Sequence, residues 1–281
     1  KIAGMPQLLE KMLSPLGLRI TPTQLLEEVK TLTTVGLPAY QVAAVTSIGL
    51  NPDRPVNEDS YGFVWRQMDT HGGPELVLRA CVSDGMGGMS AGEVAGKAAV
   101  SGFLASNKPT LAEMIWDANA GVLSAMQGQD GGCTITGIEI KGRQFQMGHV
   151  GDCRAYFLSN SEVKQISKDH SYVAALVANG QMTPEEAQNS PDRNKVLRSL
   201  GNLRQPQENY AQTFPEALEL AVGNRILLLS DGVWGEVDDK TIASLMQKEA
   251  KLQDLVDGLI EMAIESGAPD NATALVIERM K

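Results

Sequence analysis

The sequence predicts an α+β domain in which helix pairs are segregated from antiparallel strands. Three observations lead there. Short apolar runs at 133–140, 143–150, 153–158 and 162–166 follow one another across tight turns at Gly142 and Ser159-Asn160, as an antiparallel meander does. Helical stripes come in two pairs, one between residues 90 and 126 and one between 239 and 266. Strands and helices do not alternate singly, so a parallel βαβ sheet is not expected.

Residues 1–40 differ from the rest. Thr21-Pro22-Thr23-Gln24 supplies a cap, a proline at the first helical position and Gln at the third, and Leu25, Leu26, Val29 and Leu32 follow at helical spacing. An accessory helical segment packed on the following domain is expected; an arm for a partner is the rival. Gln41 to Ile48 reads as a strand leading into the turn-rich run Gly49 to Pro55, and strands at 61–65 and 76–82 flank a turn at 71–74. Ser90 and Glu93 have capping-box spacing, and the helix they open carries a small face of Ala91, Ala95, Ala98, Ala99 and Gly102 suited to close packing on a sheet. Thr110 and Glu113 open a second helix with the stripe Leu111, Met114, Ile115, Ala118, Val122 and Met126. After the meander come two short helical pieces, 171–179 and 183–188, the latter started by Thr183-Pro184-Glu185-Glu186. A strand pair near 208–221 and 225–230, helices at 239–248 and 252–266, and a strand at 272–279 close the chain.

The 281 residues carry a formal charge of -10, which repels nucleic acid and anionic membrane surfaces, so neither is expected as a partner. No apolar run approaches the roughly 20 residues that span a bilayer. Lys1, not Met, opens the chain, which leaves room for upstream residues. Cys81, Cys133 and Cys153 are isolated and odd in number, which suits buried thiols in a cytoplasmic protein. His71, His149 and His170 make no zinc pattern, and His149 reads as a packed strand residue.

Function is concentrated at strand ends. The apolar run Leu76 to Val82 ends in Ser83-Asp84-Gly85, and Arg225 to Leu229 ends in Ser230-Asp231-Gly232. Asp152 follows a strand, Asp270 precedes one, and Glu58-Asp59 precedes another. Hard divalent ions such as Mg²⁺ or Mn²⁺ prefer such oxygen ligands, and carboxylates at strand ends gather at one sheet edge. Taken singly, Asp59, Asp152 and Asp270-Asn271 also fit turn chemistry, and Arg54 fits a solvated surface charge. Gly92 to Lys97 fails as a P-loop, with three residues between its glycines and Ala98 where Ser or Thr is needed. Gly85-x-Gly87-x-x-Ser90 fails as a dinucleotide fingerprint, because Asp84 would oppose a pyrophosphate.

Seven pieces in order resemble the metal-dependent protein phosphatases of type 2C, the PPM family, over about residues 41–279. They are Arg54-x-x-Asn57-Glu58-Asp59, Asp84-Gly85-Met86-Gly87-Gly88, Gly132-x-Thr134, Gly151-Asp152-x-Arg154, Ser199-Leu200-Gly201, Ser230-Asp231-Gly232 and Asp270-Asn271. The resemblance implies a four-layer α-β-β-α sandwich, two antiparallel sheets flanked by helix pairs, with a small helical flap at about 171–190 that favours the bacterial type. The domain division it implies is an accessory segment at 1–40 and a catalytic domain at 41–281. It also implies a serine/threonine protein phosphatase, a Mg/Mn-dependent phosphomonoesterase in which a hydroxide bridging the metals attacks phosphorus. Asp84 would bridge two ions, Asp59 and the Gly85 carbonyl would serve the site, Asp231 and Asp270 would complete one ion, and Glu58 would add an outer contact. Asp152, shared with Asp231, falls where bacterial relatives hold a third, weaker ion, and Arg54 would grip the phosphoryl oxygens. The implied setting is a cytoplasmic signalling monomer acting on phosphorylated proteins; the alternative is a catalytically weakened sensor or binding module. Cys133 stands where many relatives have Thr, and Met86 and Met89 stand where eukaryotic and many bacterial relatives carry His.

Overall fold

A computed structural model describes residues 40–70, 73–87 and 91–280. The expected accessory segment therefore lies outside the described residues except for Tyr40, as do His71, Met89 and the Ser90 half of the first capping box.

In chain order the described elements open with β1 (Tyr40–Ser47), β2 (Ser60–Thr70), β3 (Gly73–Ser83) and the short β4 (Gly85–Met86). Two helices follow, α1 (Ala91–Ala105) and α2 (Leu111–Met126). Next come β5 (Gly132–Cys133), β6 (Ile135–Lys141), β7 (Gln144–Val150), β8 (Arg154–Ser159) and β9 (Glu162–Gln165). The short helices α3 (Tyr172–Ala178) and α4 (Pro184–Gln188) precede β10 (Gln212–Thr213), β11 (Leu218–Glu219) and β12 (Arg225–Leu229). The chain closes with α5 (Asp231–Trp234), α6 (Asp239–Lys248), α7 (Leu252–Glu265) and β13 (Ala272–Arg279).

The strands form two antiparallel sheets. One has the order β1-β13-β12-β8-β9, the other β10-β7-β6-β3-β2, with β11 also on β7. Leu78, Val82, Ile138 and Met147 of the second sheet pack with Leu228, Leu275 and Ile277 of the first in a solvent-free cluster. A second cluster joins α1 and α2 to Cys81, Ile135 and Val150, and a third joins α6 and α7 to Leu227, Leu229 and Val276. Burying these apolar faces at ~25 cal/mol per Å² is the main force holding the elements together.

Four local expectations change. The meander does not stay in one sheet: β6 and β7 lie in one and β8 and β9 in the other. The crossing is made at Gly151, whose φ of +111° suits glycine and whose added Cβ would meet Thr134 at 2.5 Å. It leaves Asp152 between the two sheets. Residues 208–221 do not form a strand beside β12. Only β10 and β11 pair, both with β7, because Pro215 between them cannot donate to a ladder.

The small face of α1 is divided. Ala91, Ala95 and Ala99 are buried in the cluster that includes the sheet, whereas Gly102 meets α2, where a Cβ would lie 2.9 Å from the Ala118 Cα. At the α2 cap, Thr110 accepts the Glu113 N–H at 3.3 Å but donates its own hydroxyl to the Glu113 carboxylate at 2.6 Å, so only half of a capping box forms. The complete box is at Thr183 and Glu186.

Candidate active site

Both Ser-Asp-Gly turns are anchored by their backbones before any side chain reaches the site. At the end of β3, Asp84 exchanges bonds with Thr134: its N–H donates to the Thr134 hydroxyl at 2.9 Å and its carbonyl accepts the Thr134 N–H at 2.8 Å. The Ser83 hydroxyl donates to the Thr134 carbonyl at 2.6 Å. At the end of β12, Ser230 donates its N–H to the Thr273 carbonyl, and its hydroxyl accepts the Thr273 N–H at 2.9 Å. That hydroxyl then donates to Asp59 Oδ2 at 2.6 Å. Glycine is required at both third positions, because a Cβ on Gly85 would lie 2.1 Å from the Gly92 carbonyl and one on Gly232 would lie 2.0 Å from the Asn271 carbonyl.

Asn271 ties two more acidic segments together. Its Oδ1 accepts the Glu58 N–H and its Nδ2 donates to the Ile48 carbonyl, each at 2.8 Å, so the start of β2 is fixed beside Asp270. Asn57 accepts the Asp59 N–H at 3.1 Å.

The result is a cleft of about 440 Å³ lined by Arg54, Glu58, Asp84, Gly85, Asp152, Asp231 and Asp270, among others. Asp59, the remaining residue singled out in the sequence, does not line it; it is 6 % exposed and reaches the site through Ser230. Asp53, Pro55, Val56, Asn194 and Val196 also line the cleft. Sequence reading missed Asn194 and Val196, which stand in a polar loop with no motif. Among the described lining residues there is no histidine, and Met86 is one of them.

Electrostatics set this cleft apart. Burial, and then neighbouring carboxylates, raise the Asp84 carboxyl well above its ordinary range; Asp231, Asp59, Asp152 and Asp270 all contribute. Burial pushes Asp59 up to about 8, against the lowering effect of its Ser230 bond. Burial and Asp270 raise Asp231 to about 6, while burial and Asp231 raise Asp152 well above the usual carboxylate range. Burial also raises Glu58 and Asp270. Buried carboxyls this close together are neutralised either by protons, as the raised values mean, or by positive charge nearby. Arg54 supplies some, through an ion pair with Asp270 at 2.5 Å.

The cluster also fits a cation by its unsatisfied atoms. Asp59 Oδ1, Asp152 Oδ1 and Asp231 Oδ1 are buried without a hydrogen-bond partner, which costs free energy unless something positive is bound there. As placed, no group of three His, Cys, Asp or Glu among the described residues forms a finished metal shell. The all-oxygen donor set suits hard divalent ions. His149 and His170 are not part of it. His149 is wholly buried between the Thr136 hydroxyl and the Lys168 carbonyl, and burial takes it down to about 4. His170 accepts the Gly151 N–H on Nδ1.

A profile of the family described as Protein phosphatase 2C matches residues 67–175. The chain is 36 % identical over 239 residues to the serine/threonine protein phosphatase PstP of Mycobacterium tuberculosis. Residues 67–175 carry a protein phosphatase 2C domain. The match to PstP covers 80 % of this chain and 42 % of the mycobacterial protein, so the chain spans about two fifths of that relative's length. A match to the serine/threonine phosphatase stp of Listeria monocytogenes, at 29 % identity, covers 79 % of this chain and 90 % of that one. Among solved structures, a crystal structure of PstP superposes with a TM-score of 0.72 at 29 % identity over 86 % of this chain and 99 % of that one. The PstP catalytic domain in complex with two manganese ions superposes with a TM-score of 0.70. The chain shares the mixed α+β fold of those phosphatases, with antiparallel sheets.

Proposed function

We propose that this chain is a metal-dependent serine/threonine protein phosphatase. One observation carries the reading: Asp84, Asp152, Asp231 and Asp270 line one cleft with Asp59 behind it, and three of these carboxylates have a buried oxygen lacking any hydrogen-bond partner. The two manganese ions held by PstP support the same assignment here.

Asp84, Asp59, Asp231, Asp270 and the Gly85 carbonyl would hold two Mg²⁺ or Mn²⁺ ions, with Glu58 in an outer position and Asp152 sharing a third ion with Asp231. Such ions, when bound, supply Lewis-acid activation of water and neutralise charge on the phosphoryl group. The chain's own residues do the rest. Ser230 orients Asp59 by hydrogen bond, and Asn271 fixes Glu58 against the loop that carries Asp270. Arg54, which pairs with Asp270 here, would present a planar fork to the phosphoryl oxygens. Thr134 holds the Asp84 backbone rigid, so the carboxylate needs no reorganisation.

Residues 41–281 would form the catalytic domain, 171–190 a flap beside the cleft, and 1–40 an accessory segment. Phosphorylated proteins would be the substrates, and the chain would act as a cytoplasmic monomer in signalling. Among the described residues no helix is long and apolar enough to cross a membrane.

The test is phosphate release from phosphoserine and phosphothreonine peptides in chelator and then in Mn²⁺ or Mg²⁺. Turnover that is abolished by chelation and restored by either ion supports the reading. Full turnover in excess chelator would falsify it.

A further inference from the structure

Asp152 is held from an unexpected direction. Its backbone carbonyl accepts the Trp234 indole N–H at 3.0 Å, and Trp234 closes the short helix α5 that Asp231 opens. The Arg154 guanidinium lies over the Trp234 ring, 3.6 Å from its centroid. Its other edge grips Asp169 through three hydrogen bonds, of which the Nη2 to Oδ2 bond is 2.8 Å. The Arg154 and Asp169 side chains are 18 % and 9 % exposed, so solvent screens the pair weakly. Such a planar fork between a ring face and a carboxylate cannot be reproduced by lysine.

Asp169 leads directly to the part of the cleft that carries no carboxylate. The next residue, His170, bonds Gly151 twice, donating its N–H to the Gly151 carbonyl at 2.7 Å and accepting the Gly151 N–H on its ring. The His170 carbonyl accepts the Leu197 N–H at 2.7 Å, Ser171 bridges Val196, and Tyr172 donates its N–H to the Lys195 carbonyl. Asn194 and Val196 line the cleft. One continuous set of contacts therefore joins Asp231, Trp234, Arg154, Asp169 and the 194–197 loop, with Asp152 at its centre.

We propose that Arg154 is a positioning residue, which, clasped between Trp234 and Asp169, fixes Asp152 relative to Asp231 and to the 194–197 loop. This rests on the reading of Asp152 and Asp231 as a divalent-ion site. Loose positioning of a ligand's supports typically costs 10-fold to 100-fold in metal affinity or activity, and that is the size of effect expected here.

The experiment uses the full chain with Trp65→Phe and Trp116→Phe, so that Trp234 is the remaining tryptophan. Arg154→Lys and Asp169→Asn are introduced separately, and Mn²⁺ binding is measured by calorimetry and by Trp234 emission. Both variants are expected to bind the weakest-held Mn²⁺ about 10-fold less tightly. The emission change that Mn²⁺ causes in the parent is expected to shrink in both. Nitrophenyl phosphate turnover is expected to recover at correspondingly higher Mn²⁺, a rescue that a merely unfolded variant would not show. Variants that bind Mn²⁺ as the parent does, with the same emission change, overturn the proposal while leaving the metal site intact. If Arg154→Lys fails to fold, the isosteric Asp169→Asn decides, and parent-like Mn²⁺ affinity there overturns it. A parent that binds no Mn²⁺ overturns the metal reading and this proposal together.

Discussion

Ser83-Asp84-Gly85 and Ser230-Asp231-Gly232 are the same tripeptide after the same kind of buried strand, yet they are built differently. In the first, the serine hydroxyl donates to a backbone carbonyl, that of Thr134, and the chain continues extended into β4. In the second, the serine hydroxyl donates to a carboxylate from another strand end, Asp59, and the chain turns at once into α5. The first turn is a scaffold that holds Asp84 by its backbone. The second is an organiser that brings Asp59 and Asp231 together. Local sequence sets the carboxylate's place in each case, and the partner of the serine sets its role.

The largest difference from the parent should come from the carboxylates themselves. Asp84→Asn and Asp231→Asn are each expected to lower kcat by more than about 10²-fold, beyond the effect of changing an outer partner. Metal-free unfolding midpoints should be unchanged or raised, since each change removes a buried like charge. A variant that keeps parental kcat would remove its turn from the site.

The glycines should distinguish the turns from ordinary loops. Gly85→Ala and Gly232→Ala force a methyl against backbone carbonyls at 2.1 and 2.0 Å, and each is expected to lose about 3 kcal/mol in urea unfolding. Losses near zero would mean that the close approach is dispensable.

The serines should then separate the two turns from each other. Ser230→Ala is expected to weaken Mn²⁺ binding about 10-fold, because it frees Asp59. Ser83→Ala should leave Mn²⁺ affinity alone and cost about 1 kcal/mol of stability, because it removes a backbone anchor. Equal effects of the two changes on Mn²⁺ binding would erase the distinction.

The smallest effect concerns pH. Asp59 in the folded, metal-free protein sits at about 8 against an ordinary 3.8, so the folded state binds this proton more tightly than the unfolded state. Stability from that group is present at low pH and is lost as pH rises toward 8. His149 and His170, lowered to about 4 and about 3, act oppositely, but only below their ordinary 6.5. Between pH 6.5 and 8 the metal-free protein should therefore lose on the order of 1 kcal/mol of stability. Saturating Mn²⁺ should flatten that slope; a slope of the opposite sign would contradict the assignment.

Much of this was legible in the chain. The expectation for the helix at 239–248 matches the structure residue for residue, and that for β12 to within one residue, because each has an apolar pattern with clear end signals. Glu58, Asp84, Asp152, Asp231 and Asp270 could be singled out because hard-ion chemistry needs carboxylates and strand ends deliver them. What stayed hidden depends on contacts distant in sequence. The crossing of the meander at Gly151 leaves no mark in hydrophobic pattern, since both of the strands it joins are buried. Helix α5 is four residues long, too short for any periodicity. Arg79 sits within an apolar strand run, yet it is wholly buried on Glu139, with a 2.7 Å bond. Arg54 read as a grip on phosphoryl oxygens, and its ion pair with Asp270, 216 positions along the chain, left no signal in the sequence.

The central claim is that the two turns hold ions jointly, and counting bound Mn²⁺ tests it most directly. Calorimetry or equilibrium dialysis on the full chain should find at least two ions per chain in the parent. Asp84→Asn should remove both, and Ser83→Ala should remove neither. An Asp84→Asn protein that is folded and still binds the parental number of ions at parental affinity would contradict the account.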